Sequence, residues 1–235
     1  VWRQHGVVVF PSLLTAAVTD ELRAAVRAAQ SGTHTRDYTT VTRDKTHRVH
    51  KALPVSSSAA ALDMVARKLK PFLSVALGTS DLAVLESGFM VTAPGATAQQ
   101  FHRDVAPAVV SCSSLTASLQ ISLVDTVAEQ GSLEVVPGSH TYDPSISDKK
   151  VMEGTLPKLP VAVPAGTVTI YALHLIHRGR ANTHTADRPF FFFTLMGPGL
   201  APPGLAYTIE PDDIGRWRML DGRLEAEQAQ VHGLR

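Results

Sequence analysis

The sequence predicts a mainly β fold with flanking helices, of the sandwich or closed jelly-roll type. From Leu82 onward, short β-rich stretches follow one another, separated by Gly, Pro, Asp and Asn. Only two long stretches with helical spacing precede them, so the strand–helix alternation that builds a parallel sheet is missing. The length of 235 residues suits one all-β unit. We expect a single domain over 1–235, with N-terminal helices in 12–76 packed on a β core over 82–197 and a C-terminal extension over 198–235.

The N-terminal part begins with a short β-branched run, GVVVFPSLL, which stops at Pro11. Apolar residues then recur at helical spacing up to Gly32, which predicts a helix with a polar start at Thr19. A second helix is predicted over 56–77, and Pro71 is expected to bend or divide it.

The β-rich part contains six stretches that predict strands. They read LAVLESGFMVTA, LTASLQISLVD, GSLEVVPGSH, VAVPAGTVTIYAL, IHRGRANT and RPFFFFTLM. A Pro/Gly linker, GPGLAPPG, follows them, and the tail after Pro211 is expected to form a short helix or a hairpin. Such a succession favours a sandwich or closed jelly roll.

Composition narrows the class of protein further. Hydrophobic residues make up 44% and charged residues 18%, which is enough apolar material for a sizeable core. A formal net charge of +1 with ten histidines argues against nucleic acid bound by bulk charge. No apolar run is long enough to span a bilayer. Cys112 is the only cysteine, so we expect no internal disulfide and an intracellular, cytoplasmic location. Because the sequence starts at Val1 and not at Met, we also expect part of the native N-terminus to be missing.

A His-X-Asp pair, His102 and Asp104, stands out in the stretch AQQFHRDVAP. On a strand, residues two apart point to the same face, so both side chains could bind one metal ion. Most such tripeptides are ordinary polar pairs at strand ends, and a metal site needs at least one further ligand. The residues alone leave four candidates open, which are His140, His174, His177 and His184.

Arg188 opens the apolar stretch RPFFFFTLM. An arginine is rarely buried unless its charge is paired, and the planar guanidinium best matches a carboxylate held by two hydrogen bonds. If no Asp or Glu of the chain supplies that carboxylate, a small dicarboxylate would. Arg188 is therefore a candidate anchor for such a molecule.

Three motifs, QQFHRD, GSLEVVPGSH and HRGRANTHTADRP, resemble the phytanoyl-CoA dioxygenase family of Fe(II)- and 2-oxoglutarate-dependent oxygenases. The opening stretch GVVVFPSLLTAAVTDELRAAV is also similar to the first strand and helix of that family. The resemblance keeps the family's order over roughly 6–197. It implies the double-stranded β-helix fold, a cupin-like jelly roll, and a single dioxygenase domain.

The resemblance also implies roles for individual residues. His102, Asp104 and His177 match the family's iron ligands, a facial triad that leaves three coordination positions open. Arg188 matches the arginine that binds the far carboxylate of 2-oxoglutarate. The family pattern His-X-Gly-X-X-Asn fits His177, so His174 is interpreted as structural or supporting. His140 is interpreted as a turn residue that bonds to backbone, and His184 as facing the pocket.

The wider pocket is predicted from strand position and from the same resemblance. Gln120 lies where relatives often contact the cosubstrate, and Thr116 and Ser118 share its strand face; the alternative is that they are ordinary strand polar residues. The basic segment 36–51 is either a solvated surface or a lid for an anionic ligand. One of Gln99 and Gln100 is expected to face the substrate, and the sequence does not distinguish them.

These observations predict an Fe(II)- and 2-oxoglutarate-dependent dioxygenase that uses O2, with ascorbate as an auxiliary reductant. We expect it to hydroxylate a small molecule, of anionic character if the basic segment is a lid, with release of succinate and CO2. Because Asp104 is present where halogenating relatives have a small residue, hydroxylation is favoured over halogenation. The alternatives are a non-catalytic ligand-binding barrel and a cupin-like zinc or manganese protein that does not use 2-oxoglutarate. No segment identifies a CoA site, and the oligomeric state is not predicted.

Overall fold

A computed structural model describes residues 1–32, 35–39, 44–106, 115–199 and 201–227. Four α-helices occur in these ranges: α1 Trp2–His5, α2 Ala16–Ser31, α3 Val55–Ala76 and α4 Pro144–Met152. The strands there are β1 Val7–Phe10, β2 Arg48–Ala52, β3 Asp81–Thr92, β4 Thr116–Ser122, β5 Leu133–Val135, β6 Leu159–Val161, β7 Val168–Ala172, β8 His177–Gly179, β9 Arg188–Met196, β10 Trp217–Leu220 and β11 Arg223–Ala226. Cys112 and Arg43 lie outside the described residues.

Two antiparallel sheets form the body of the structure. The larger has the order β1-β7-β4-β9-β3-β10-β11, and β2 also pairs with β3, beside its second half. The smaller has the order β6-β5-β8. Every strand pair is antiparallel. The non-sequential order reflects long connections between the sheets, as in a jelly roll.

Strand β9 shows why an unbroken aromatic run suits the centre of this sheet. Phe191 and Phe193 are fully buried and belong to the main apolar core, which includes residues of α2 and α3. Phe190 and Phe192 point the other way and line a cavity. Because both faces of the strand are covered, the sequence does not alternate between apolar and polar residues.

The two long helices cover the outer face of the large sheet. Leu22 and Val26 of α2, with Leu62 and Leu69 of α3, are buried in the same core. Burial of each such side chain contributes about 1.5–3 kcal/mol, which fixes the helices against the sheet. The opposite face of the sheet is left for the cavity.

Helix boundaries differ from the sequence prediction in two places. The cap of α2 is Thr15, whose side chain accepts a hydrogen bond from the Val18 N–H at 3.4 Å, and Thr19 is buried inside the helix. Helix α3 continues through Pro71. The adjacent Phe72 packs edge-on against two aromatic rings of the N-terminal segment, and this packing offsets the hydrogen bond that proline lacks.

Three elements lie where the sequence predicted none, or left the choice open. Strand β2 lies in the segment interpreted as a lid or solvated surface. Its residues alternate between buried and half-buried, so this part of the segment is packed against the sheet. Helix α4 was missed, since it is only nine residues long and weakly amphipathic. The tail forms the hairpin β10-β11 and extends the large sheet. The division of the chain into domains stays a prediction.

The length and hydropathy of the helices decide whether any of them could span a membrane. Within the described residues, none is long and apolar enough to cross a bilayer.

Candidate metal centre and cofactor pocket

A cavity of about 270 Å³ lies between the two sheets. Its walls come from β2, β3, β4, β7 and β9 of the large sheet and from β5 and β8 of the small one. The segment 204–208 closes one side. His102, Asp104 and His177 all line this cavity, so the three predicted metal ligands meet in one place.

The three candidate ligands present one donor atom each within 4.8 Å of one another. His177 Nε2 lies 3.4 Å and His102 Nε2 3.8 Å from Asp104 Oδ1. Backbone pairing fixes this arrangement, because His102 and His177 exchange two N–H···O bonds of 3.0 Å as an isolated bridge. Asp104 is tied to the sheet by its N–H, which donates to Leu173 O at 3.0 Å.

In both histidines of the triad, Nδ1 bonds to a backbone carbonyl oxygen and Nε2 faces Asp104. His102 Nδ1 donates to Gln100 O and His177 Nδ1 donates to Leu175 O, each at 2.9 Å. A carbonyl oxygen only accepts, so both Nδ1 atoms carry a proton, and the Nε2 atoms are the ones that can bind a metal ion. This is the orientation that carbonyl partners give to metal-binding histidines.

The charges of the triad are coupled. Burial lowers the pKa of His177, but the carboxylate of Asp104 outweighs it and leaves that pKa raised. Burial raises the pKa of Asp104, yet the two histidines hold it below its usual value. Burial and the nearby His177 lower the pKa of His102. The set therefore offers a carboxylate and a neutral imidazole, and a bound cation would replace the proton shared by His177 and Asp104.

Tyr171 supports Asp104 from the neighbouring strand β7. Its ring centroid lies 4.7 Å from that of His177, and its hydroxyl hydrogen-bonds with Asp104 and Ser118. Burial and the charge of Asp104 raise the pKa of Tyr171 well above its usual value, so the phenol stays protonated. No sequence pattern singles out Tyr171, because it lies inside an ordinary apolar strand.

Arg188 is only 4% exposed and lines the same cavity. Its Nη1 donates to Gly131 O at 3.1 Å and its Nη2 to Gln120 Oε1 at 2.9 Å. Burial and the charge of Arg48 lower its pKa to about 9. No Asp or Glu among the described residues forms an ion pair with Arg188, so a buried cation faces the cavity without a protein carboxylate.

The predicted neighbours of the arginine divide into two groups. Gln120 lines the cavity and orients Arg188 directly, and Ser118 lines the cavity as well. Thr116 is buried at the start of β4 and is not among the cavity residues. Its assignment as a cofactor-binding residue therefore remains a prediction without a cavity contact to support it.

Arg48 is a second buried arginine of the cavity, which the sequence analysis placed in a lid or solvated segment. It is 1% exposed and donates to Thr92 Oγ1 at 3.0 Å, to Thr97 O at 2.7 Å and to Arg180 O at 2.9 Å. Thr92 of β3 is the cross-strand partner of Arg48 on β2 and of Arg188 on β9. The two arginines therefore lie on either side of Thr92 in one row across these three strands. The signal that could have found Arg48 is the alternation in RVHKA, which predicts a strand.

Gly179 is the glycine of the His-X-Gly pattern, and its role is steric. A Cβ there would lie 2.8 Å from Gln99 Oε1 and 3.0 Å from Arg48 Nη1. Gln99 lines the cavity and accepts from the Gly179 N–H at 2.7 Å. Of the two glutamines left open by the sequence, Gln99 is thus the one at the cavity.

The other histidines have different outcomes. His174 is buried, does not line the cavity, and accepts from Arg103 Nε through its carbonyl oxygen at 3.0 Å. His140 lies in the 3-10 turn Ser139–Thr141 and bonds to the backbone of Arg3. The prediction that His184 faces the pocket is wrong. It is exposed in a turn, where its Nδ1 accepts from the Ala186 N–H at 3.1 Å.

The other lysines and arginines described in the basic segment do not line the cavity. Lys51 Nζ donates to Gln30 O and Gly32 O, both at 3.1 Å, so it covers the C-terminal carbonyls of α2. The Arg36 guanidinium stacks over the Tyr38 ring at 5.3 Å. Of the basic residues described there, only Arg48 lines the cavity.

This geometry fits a metal and a dicarboxylate better than the alternatives. A non-catalytic barrel would be expected to lose a ligand or the arginine, yet all four groups line one cavity. A cupin-like protein without 2-oxoglutarate would need a protein carboxylate on Arg188, and none is found among the described residues. A jelly roll with a two-histidine, one-carboxylate triad defines the class of non-haem iron oxygenases.

Comparison with known proteins identifies the family. The family model described as phytanoyl-CoA dioxygenase (PhyH) matches residues 2–190. The chain belongs to the phytanoyl-CoA dioxygenase family, and the predicted class of Fe(II)- and 2-oxoglutarate-dependent oxygenases is confirmed.

Solved structures are similar to the chain over most of its length. The non-heme alpha-ketoglutarate-dependent epimerase SnoN from nogalamycin biosynthesis is 19% identical, with a TM-score of 0.68 over 90% of this chain and 91% of its own. The carbocyclase SnoK from the same biosynthesis is 21% identical, with a TM-score of 0.67 over 87% and 85%. HygX from Streptomyces hygroscopicus, with nickel, 2-oxoglutarate and hygromycin B bound, is 15% identical, with a TM-score of 0.62 over 86% of each chain. The predicted jelly-roll fold is confirmed.

Proposed function

We propose that His102, Asp104 and His177 bind the catalytic Fe(II) and that the enzyme hydroxylates a C–H bond of a small molecule. The observation that carries this assignment is the convergence of the triad and the unpaired Arg188 on one cavity. The two Nε2 atoms and a carboxylate oxygen supply three ligands on one face, which leaves the remaining positions open.

The cosubstrate would lie between the triad and the row of two arginines. Arg188 binds the far carboxylate of 2-oxoglutarate, and Gln120 holds the guanidinium in place. Arg48, on the other side of Thr92, adds a second positive charge for a dianion. Thr92 and the peptide carbonyls fix both arginines, so the charge is organised before the ligand arrives.

The triad and Arg188 would hold iron and 2-oxoglutarate, which would supply an oxidant from O2, with succinate and CO2 as products. The chain itself provides position and a dry pocket. Phe190, Phe192 and Leu205 form apolar walls around the substrate region and exclude water. Asp104 occupies the carboxylate position and is fastened by Tyr171, so we propose hydroxylation in preference to halogenation.

A small-molecule substrate is supported by the size of the cavity, about 270 Å³, and by neighbours that bind such molecules. The structures of SnoN and HygX include nogalamycin RO and hygromycin B respectively. The expected anionic character of the substrate has less support, because Arg48 is the one Lys or Arg among the described residues of the basic segment that lines the cavity, and it lies at the cosubstrate end.

Release of succinate tests the proposed reaction. Purified protein with Fe(II), ascorbate, O2 and 2-oxoglutarate should form succinate even without substrate, by slow uncoupled turnover. His102→Ala or Asp104→Ala should reduce this by at least about 100-fold, since each removes one of three ligands. His184→Ala, an exposed histidine outside the cavity, is the matched control and should retain wild-type rates. Equal rates in all four proteins would contradict the assignment.

A further inference from the structure

Glu86 is a buried acid of the cavity that the proposed reaction does not use. It is 5% exposed, lies on β3 just after a register shift, and lines the cavity. Its Oε2 accepts from the Thr194 hydroxyl at 2.6 Å and its Oε1 from the Thr208 N–H at 3.0 Å. Among the described residues that line the cavity, Asp104 is the only other acid.

Glu86 has hydrogen-bond donors but no cation. Within the described residues, no Lys, Arg or His forms an ion pair with it. Burial, resisted by its two threonine partners, raises the pKa of its carboxyl to about 7. A buried carboxylate without a counter-charge is costly, and a cation brought by a ligand would remove that cost.

The position of Glu86 separates it from the cosubstrate. It pairs with Thr194, whereas Arg188 pairs with Thr92, six residues further along β3. At about 3.3 Å per residue, the Cα atoms of Glu86 and Thr92 lie roughly 20 Å apart along the strand. Glu86, Thr194, Ser118 and Tyr171 are successive cross-strand partners in one row, and Tyr171 reaches Asp104. The acid thus shares its row with a residue that touches the triad.

Apart from Asp104, whose charge also raises the pKa of Glu86, the described surroundings of Glu86 are apolar or neutral. Phe192 and Leu205 line the cavity with it. His50, which also lines the cavity, is bonded through Nε2 to Thr208 Oγ1 at 3.0 Å, and burial lowers its pKa to about 4, so it is uncharged at neutral pH. The described residues at this end of the cavity therefore combine one acid with apolar walls and contribute no positive charge to neutralise it.

We propose that Glu86 binds a protonated amine of the substrate, and that the enzyme oxidises a small, largely apolar amine held between Glu86 and the metal. The inference rests on the proposed function, because it takes the cavity as the place of substrate oxidation. Arg188 is a cation that needs an acid, and 2-oxoglutarate provides one. Glu86 is an acid that needs a cation, and the substrate amine provides it.

Calorimetry in two separate arms tests the inference. The protein is loaded with Mn(II) as a redox-inert substitute for Fe(II) and titrated first with 2-oxoglutarate. It is then titrated with cyclohexylamine and benzylamine and with the N-acetyl derivative of each, which keeps the apolar part and removes the charge. We expect each amine to bind about tenfold or more tightly than its N-acetyl derivative, as for a charge-assisted hydrogen bond.

Variants assign that preference to one residue. Glu86→Gln keeps the size of the side chain and should abolish the preference for the amine. Glu129→Gln changes an exposed acid outside the cavity and should retain it. If Glu86→Gln fails to fold, Glu86→Asp keeps the charge and should bind the amine more weakly than the wild type while still preferring it.

The two proposals fail separately. Wild-type protein that binds the amines no better than the N-acetyl derivatives, or binds neither, overturns the role of Glu86, as does a preference that survives in Glu86→Gln. Absence of 2-oxoglutarate binding, with a Glu86-dependent amine preference intact, overturns the proposed cosubstrate site and leaves the amine site supported.

Discussion

Two buried side chains of opposite charge, Arg188 and Glu86, face the same cavity, and neither forms an ion pair with another described residue. Each is held by neutral partners: Gln120 and a carbonyl for the arginine, two threonines for the acid. Hydrogen bonds from neutral groups orient a charge but do not neutralise it. Both residues therefore lower the stability of the protein without ligands and favour the binding of a ligand of opposite charge.

Glu86→Gln should change how stability depends on pH. The folded-state pKa of about 7 lies above the usual value of 4.5, so the folded protein keeps the proton longer than the unfolded chain. The protonated Glu86 carboxyl therefore stabilises the fold fully below about pH 4.5, and this contribution is lost as the pH rises through about 7. Denaturant unfolding between pH 4.5 and 8 should show the wild type losing about 3 kcal/mol at most relative to Glu86→Gln. A constant difference across this range would contradict the raised pKa.

Arg188→Lys should weaken 2-oxoglutarate binding while keeping the positive charge. Lysine offers a point charge in place of the planar fork that holds Gln120 and a carboxylate together. We expect the Kd for 2-oxoglutarate, measured by calorimetry with Mn(II), to rise about tenfold or more. Arg180→Lys, which lies outside the cavity and pairs with Glu134, is the control; an equal effect in both variants would argue against a specific role for Arg188.

At the scale of elements, the sequence predicted best where one physical requirement dominated. The aromatic run of β9 had to be a buried strand, and its predicted bounds match the observed ones. Strand β2 was missed because its charged residues suggested exposure to solvent. Arg48 is nevertheless buried, and it donates hydrogen bonds to carbonyl oxygens of other segments. Such long-range partners leave no local pattern in the sequence.

The start of α2 provides a test at this scale. Thr15 accepts from the Val18 N–H, which identifies it as the cap, and Thr19, predicted to give the helix a polar start, lies one turn inside the helix. Thr15→Ala should lower the free energy of unfolding by about 1 kcal/mol. Ser31→Ala, at the exposed opposite end of the same helix, should change it by no more than about 0.5 kcal/mol. Chemical denaturation checks both, and a neutral Thr15→Ala would contradict the cap.

At the scale of the whole molecule, the triad and Arg188 were predictable because their order and spacing survive as sequence motifs. The chain brings them together through strand pairing between distant segments, such as the bridge of His102 with His177. Glu86 was not singled out, although LESG places an acid inside an apolar strand, the same signal that drew attention to Arg188. Its meaning depends on which side chains share the cavity, and that follows only from the packed sheets.

The most direct measurement is a crystal structure of the protein soaked anaerobically with Fe(II) and 2-oxoglutarate. We expect anomalous density for iron within bonding distance of His102 Nε2, Asp104 and His177 Nε2, with the far carboxylate of 2-oxoglutarate on Arg188. Iron bound elsewhere, or a 2-oxoglutarate whose far carboxylate avoids Arg188, would contradict the proposed centre.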